Sequence, residues 1–399
     1  MKKTVKDIDI KGKKVIMRVD FNVPLDKETN SKITDTTRVD AAMPTIEYIL
    51  SQGASLILMS HLGRPKGEVN PKYSLKPVYD YLKTKLPNNK VIFANDCIGD
   101  EVKKSVSSLN AGDVILLENL RYHAEEEKND SNFSKQLSDL ADVYVNDAFG
   151  TAHRAHASTA GIVLAKPSMP AVAGFLMEKE IKYLGDAVAD PKRPFVAIIG
   201  GAKVSSKISV LKNLLNKVDT LIVVGGMAYT FFKAKGYEIG ASLCEDDYIQ
   251  TAKDIMEKAK ELNKTLYLPT DNVVADKFDN DANRKTVNSD AIPQGWMGMD
   301  VGEKTLKELD NILKTAKTIV WNGPLGVFEM SNFSKGTFET AKFIADSGAV
   351  SIIGGGDSVS AVNKSGVADK MTHISTGGGA SLEFLEGIEL PGIKVLQDK

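Results

Sequence analysis

Five short apolar runs that break into glycine constrain this chain more than any other feature. The run 349–353 is followed by Gly354, Gly355 and Gly356, then by Asp357 and Ser358, with helix-like sequence from Val359 onward. An uninterrupted apolar run rich in β-branched residues fits a strand buried on both faces, as in a parallel sheet. Asp357 and Ser358 are good helix N-cap residues, and the glycines let backbone N–H groups approach a ligand where the helix end favours negative charge. The pattern recurs at 195–203, 221–227, 318–326 and 372–379. Loops at the carboxyl ends of parallel strands gather at one edge, where ligands bind. Five glycine loops there predict a nucleotide-sized phosphate site.

The first half repeats the strand-and-loop rhythm with different chemistry. Runs at 14–20, 56–60, 91–93, 114–121 and 143–147 read as strands, and their ends deliver Asp20, Asn22, His61, Arg64, Arg121, His153 and Arg154. Only seven arginines occur in the chain, and five of them, with four of the five histidines, fall before residue 157. The planar guanidinium fork matches carboxylates and phosphates, which a lysine does less well. Arg38 stands at the start of the helix-like stretch 40–51, where the helix dipole prefers an acid; such a local conflict points to function. A basic pocket for a small, multiply anionic substrate is expected.

Net charge is −1, with 26% charged residues, so nothing draws the whole chain to nucleic acid or to an anionic membrane. Cys97 and Cys244 show neither metal-ligand spacing nor a disulfide framework. Lys2, Lys3, Lys6, Asp7 and Asp9 leave no apolar signal core, and a cytoplasmic protein is expected. The length of 399 residues suggests two domains. Pro167, Pro170 and Gly174 mark a boundary, and 175–188 reads as a connecting helix. Lys203 and Lys207, four apart, are expected to share a face of a helix opening there. The run 266–271 is expected to be a strand ending in an acid, and 390–396 a short closing segment.

An α/β protein with one half for an anionic metabolite and the other for a nucleotide phosphate implies a phosphoryl transferase. The P-loop, the G-x-G-x-x-G fingerprint of nicotinamide dehydrogenases and the protein-kinase motifs are all missing. The motifs Arg18-Val-Asp-Phe-Asn-Val-Pro24, His61-Leu-Gly-Arg-Pro-Lys-Gly67, Leu117-Glu-Asn-Leu-Arg121, Asp147-Ala-Phe-Gly-Thr-Ala-His-Arg-Ala-His156, Gly200-Gly-Ala-Lys-Val-Ser-Ser-Lys207, Trp321-Asn-Gly-Pro-Leu-Gly-Val-Phe-Glu329 and Gly354-Gly-Gly-Asp-Ser358 closely resemble those of phosphoglycerate kinases, in the family's order.

That resemblance implies two Rossmann-like domains, parallel sheets flanked by helices, facing each other across a hinge cleft. It implies a 3-phosphoglycerate domain at 1–168 joined by the tail 390–399, a hinge segment at 169–193 and a nucleotide domain at 194–389. It implies a substrate site of Asp20, Phe21, Asn22, Arg38, His61, Leu62, Gly63, Arg64, Arg121 and Arg154. For the nucleotide it implies Lys203 and Lys207 at the phosphates, and Gly225, Gly226 and Gly298 at the adenine. Asn322 and Glu329 are further contacts, Glu329 at the ribose, and Gly355, Gly356, Asp357 and Ser358 form the phosphate loop. Arg38 and Lys203 are assigned to the transferring phosphoryl group, Asp20 to orienting Arg38, Lys207 to the α-phosphate side and Asp357 to Mg²⁺. The implied reaction is the glycolytic exchange between 1,3-bisphosphoglycerate with ADP and 3-phosphoglycerate with ATP, in a monomer with no nucleic-acid or membrane partner.

Overall fold

A computed structural model describes residues 1–185 and 188–399. They fall into two compact units, Met1–Ile181 with Glu389–Lys399, and Lys182–Ile388. In the first, β1 (Lys14–Arg18), β2 (Ser55–Met59), β3 (Val91–Phe93), β4 (Val114–Leu116), β5 (Val143–Asn146) and β6 (Ala171–Ala173) form a parallel sheet ordered β3-β4-β2-β1-β5-β6. β2 is buried at every position, as expected of a strand covered on both faces. One cover is the helix Thr37–Ser51, which turns Val39, Ala42, Met43, Ile46 and Ile49 inward at helical spacing. Each fully buried Val or Ile there contributes about 1.5–3 kcal/mol. Arg38 is the second residue of that helix, half-buried at its N-terminal end.

The second unit holds β7 (Phe195–Ile199), β8 (Thr220–Val223), β9 (Glu238–Ile239), β10 (Thr265–Tyr267), β11 (Asp271–Ala275), β12 (Arg284–Asn288), β13 (Ala291–Ile292), β14 (Met297–Val301), β15 (Thr318–Asn322), β16 (Val350–Gly354) and β17 (His373–Ile374). Its main parallel sheet runs β10-β8-β7-β15-β16-β17, so strand order reverses direction between β7 and β15. Ligands bind outside the carboxyl ends at such a switch point. All five glycine-rich loops leave carboxyl ends of this sheet.

Several local expectations change. Residues 266–271 are not one strand: β10 stops at Tyr267, and Asp271 opens β11 in an antiparallel sheet, β12-β11-β14. Asp271 is buried and accepts the Lys304 and Thr305 N–H groups, so it caps the helix Glu303–Thr315 instead of serving a strand-end site. β4 ends at Leu116, five residues before Arg121. The Glu118 carboxylate takes the Leu75 and Asn119 N–H groups and turns the chain into Leu120–Tyr122. The stretch 171–173, read as connector, is β6. The expected connecting helix is present, as Phe175–Glu180 continuing in wider helical turns from Ile181, while positions 186 and 187 lie outside the described residues.

The closing segment docks on the first unit. Lys3 N–H donates to the Gln397 carbonyl at 2.8 Å, Gln397 N–H to the Ala171 carbonyl at 2.9 Å, and buried Asn146 Nδ2 to the Gly392 carbonyl at 3.0 Å. Among the described residues, no helix is long and apolar enough to cross a membrane.

Candidate functional site

The carboxyl ends of β1, β2 and β5 and the turn beyond β4 bring most of the expected cations of the first unit together. The loops after β1 and β2 are locked to each other: Gly63 N–H donates to Asn22 Oδ1 at 2.8 Å, and Phe21 N–H to Ser60 Oγ at 2.9 Å. The Phe21 ring is buried, so this residue serves the site through its backbone position. Leu62 is also buried, with its carbonyl on Asn119 Nδ2. Gly63 has φ +60°, and a Cβ there would overlap the Tyr73 ring. Its carbonyl accepts Arg121 Nη1 at 3.1 Å.

Arg18 was not singled out by the sequence as a site residue, yet it organises this cluster. It is 0% exposed, and its guanidinium donates from Nε to Ser158 Oγ at 2.8 Å, from Nη1 to the Val19 carbonyl, and from Nη2 towards His61 Nδ1 at 3.1 Å. Ser158 in turn donates to the buried Glu126 carboxylate at 2.5 Å. Burial, then Arg18, Arg121 and Arg38, hold the His61 imidazolium well below its ordinary pKa. His61 is therefore neutral, and a ring nitrogen facing a guanidinium must accept, so its proton sits on Nε2. The pKa of Arg121 is likewise lowered, chiefly by burial; its Nε lies 3.4 Å from Glu127 Oε1.

Arg38, Arg64 and Arg154 extend outward from this buried base. Arg38 Nη1 meets Asp20 Oδ2 at 2.9 Å, with the two side chains 40% and 17% exposed. A pair that exposed contributes at most about 1 kcal/mol to stability, so its consequence is aim. Arg64 is exposed with no hydrogen bond or ion pair among the described residues, and Arg154 is exposed, donating to His153.

In the second unit a cavity of about 450 Å³ opens at the carboxyl edge of the sheet. Gly225, Gly226, Gly298, Glu329 and Asp357 line it, as do Leu243 and Phe278, which the sequence did not reveal. Both are large exposed apolar side chains, and an apolar wall suits a flat base. A Cβ on Gly298 would overlap the buried Tyr229 hydroxyl, and one on Gly225, whose φ is +71°, would press on the Gly201 and Pro324 backbone. Beneath the cavity, buried Asp300 accepts Gly336 N–H at 2.8 Å and holds the start of the helix Lys335–Asp346. Burial raises its pKa to about 7.

Lys203 and Lys207 do not share a helical face, because the helix starts only at Ile208. Buried Val204 and the Glu245 carboxylate, which takes Ser205 N–H and Oγ–H at 3.0 and 2.6 Å, hold 203–207 as a turn. Lys203 stays exposed, while Lys207 folds onto buried Asn322 Oδ1. Burial lowers the Lys207 pKa, with Asp357 and Glu386 opposing. Asn322 Nδ2 is a buried donor with no partner, beside Gly354 and Gly355, so ammonium and amide together lack an anion. Gly355 has φ +85° and precedes the helix Gly356–Lys364. Ser358 Oγ is buried on Gly323 N–H at 2.6 Å, joining the loops after β15 and β16. Asp357 is exposed, with no hydrogen bond or ion pair among the described residues, and offers the hard oxygen that Mg²⁺ requires.

The phosphoglycerate kinase family model matches residues 5–388. The chain belongs to the phosphoglycerate kinase family. It is 58% identical to the phosphoglycerate kinase of Clostridium botulinum over 400 aligned residues, covering 100% of this chain and 99% of that one. It is also 58% identical to the cytosolic phosphoglycerate kinase 3 of Arabidopsis thaliana, covering 99% and 98%. The solved phosphoglycerate kinase structure from Coxiella burnetii superposes with a TM-score of 0.90 at 42% identity, covering 99% and 98%. That from Pyrococcus horikoshii gives 0.81 at 33%, covering 98% of each. Both parallel sheets thus belong to the two-domain architecture of phosphoglycerate kinases.

Proposed function

We propose that the chain catalyses reversible in-line phosphoryl transfer between 1,3-bisphosphoglycerate with ADP and 3-phosphoglycerate with ATP. The acceptor is a carboxylate, ionised at neutral pH, so no general base is needed. Catalysis reduces to holding two anions in line and neutralising charge on the moving group. Asp20, Asn22, His61, Arg64, Arg121 and Arg154 bind the phosphoglycerate. Arg38, aimed by Asp20, and Lys203 meet the transferring phosphoryl group, and Lys207 the α-phosphate side. Gly225, Gly226, Gly298, Asn322 and Glu329 take the nucleoside, with the 355–358 loop at its phosphates. Asp357 holds Mg²⁺, which supplies charge neutralisation on the nucleotide oxygens when bound.

The observation that carries this reading is the buried Arg18–His61–Arg121 base under a half-exposed Arg38 held by Asp20, in a chain of this family. Each site is assembled within its own unit, so the reading includes hinge closure before transfer, in a cytosolic monomer. Coupled turnover of ATP with 3-phosphoglycerate tests it: turnover with that acceptor and little ATP hydrolysis without it is expected. Equal ATP hydrolysis in both conditions overturns it. Solution X-ray scattering is expected to show the smallest radius of gyration with both ligands bound.

A further inference from the structure

We propose that Asp96, Cys97 and His123 form a second metal site, which takes one divalent cation of the zinc class through carboxylate, thiolate and imidazole ligands. The three come from two separate loops. Asp96 and Cys97 follow β3, and His123 follows the turn Leu120–Tyr122. One ligand atom from each lies within 4.8 Å of the others. Bonds of about 2.0–2.3 Å in a tetrahedron hold ligand atoms roughly 3–4 Å apart. His123 Nε2 now sits 2.7 Å from Asp96 Oδ1, so a cation enters by displacing that hydrogen bond and parting the two groups by roughly half an ångström.

The surroundings fit an ion reached from one side. Cys97 is fully buried and forms the dry wall, while the Asp96 and His123 side chains are 49% and 26% exposed. A polar cavity of about 270 Å³, lined by Asn95, Asp96, Gly99 and Asp100, opens on the Asp96 side and brings solvent to that ligand. The Cys97 thiol is pushed up chiefly by burial; the Asp96 and Glu126 carboxylates add to this, and their negative field is what favours a dication there. Binding is balanced by proton loss: the thiol proton leaves as the S–metal bond forms, and His123 ligates as neutral imidazole, releasing any proton shared with Asp96. Thiolate and imidazole select against Mg²⁺, so this site does not compete for the nucleotide's ion. A bound cation staples the loop after β3 to the segment carrying Arg121.

Cobalt(II) titration of the full chain, followed by optical absorption, tests the assignment. One equivalent is expected to give a sulfur-to-cobalt charge-transfer band that Zn²⁺ removes and millimolar Mg²⁺ does not. Cys97→Ser is expected to abolish the band, Cys244→Ser to leave it, and His123→Gln to weaken affinity by at least about tenfold. His123 is partly exposed, so H123Q keeps the test open if the Cys97 variant does not fold. Zn²⁺ is expected to raise Tm in the parent and not in H123Q. No thiolate band, a band that falls with Cys244→Ser, unchanged affinity in H123Q, or the same Zn²⁺-induced Tm shift in both proteins overturns the proposal.

Discussion

The two candidate binding regions are built by opposite means. In the first unit the recognition elements are long cationic side chains standing on a buried polar base of Arg18, Ser158, Glu126 and His61. In the second they are largely backbone, with space kept open by missing Cβ atoms at Gly225 and Gly298. A side-chain site concentrates charge at chosen points but must fix mobile groups. A backbone site is rigid from the start and has little charge of its own, so Lys207 supplies charge and the unpartnered Asn322 Nδ2 a further donor. The difference teaches where damage should appear: in turnover at Arg38 of the first region, in nucleotide affinity at the glycine-lined pocket of the second.

Removing Arg38 gives the largest expected effect. Arg38→Ala is expected to lower kcat about a hundredfold or more, since a cation aimed at transition-state charge contributes about 3–4 kcal/mol. The KM for 3-phosphoglycerate should move far less; steady-state kinetics with both substrates varied checks this. The glycine counterpart is Gly298→Ala, whose added methyl collides with Tyr229. Overpacking of this kind costs about 1–3 kcal/mol, so an ATP KM raised about tenfold with kcat little changed is expected. A kcat loss matching that of Arg38→Ala would erase the contrast. Ser158→Ala probes the buried base, leaving Arg18 Nε and Glu126 without their shared partner. A stability loss of about 1–3 kcal/mol is expected in urea unfolding.

The smallest effect sharpens the comparison through pH. Asp300 has its folded pKa raised to about 7, so its stabilisation is fullest below the ordinary 3.8 and is lost as pH climbs to about 7. His156 has its folded pKa lowered to about 4 by burial and by Arg121 and Arg18, so its contribution is full above 6.5 and is lost as pH falls towards 4. Between pH 5 and 6.5, Asp300→Asn and His156→Gln should therefore change the pH slope of stability in opposite directions. Each change is at most about 1.4 kcal/mol per pH unit. Slopes of the same sign in unfolding titrations would refute the assignment.

Legibility in the sequence followed the same divide. Parallel strands announce themselves because a strand covered on both faces must be apolar throughout, as β2 and β7 are. β6 is only Ala-Val-Ala between Pro170 and Gly174, and so it reads as a break. β12 is Arg-Lys-Thr-Val-Asn on an exposed antiparallel ribbon, with no apolar pattern to find. The glycine loops were visible because their spacing after strands is itself the signal. Arg18 was not, since a charged residue inside a strand does not tell how deeply it lies or what answers its charge. Lys203 and Lys207 fit helical spacing, but the Glu245 carboxylate from a distant loop held the turn, and only tertiary structure reveals that.

The docking of residues 389–399 also dictates an order of events during synthesis. The first unit begins the chain, yet its own edge, where Gln397 meets Lys3 and Ala171, waits until the whole of Lys182–Ile388 has been translated. The second unit has all its residues in one continuous stretch and can close first. Domains that fold as units during translation usually do so from the N-terminus. Here the unit made first is the one finished last, and until residues 389–399 arrive its six-stranded sheet must persist without the segment that docks on Lys3 and Ala171.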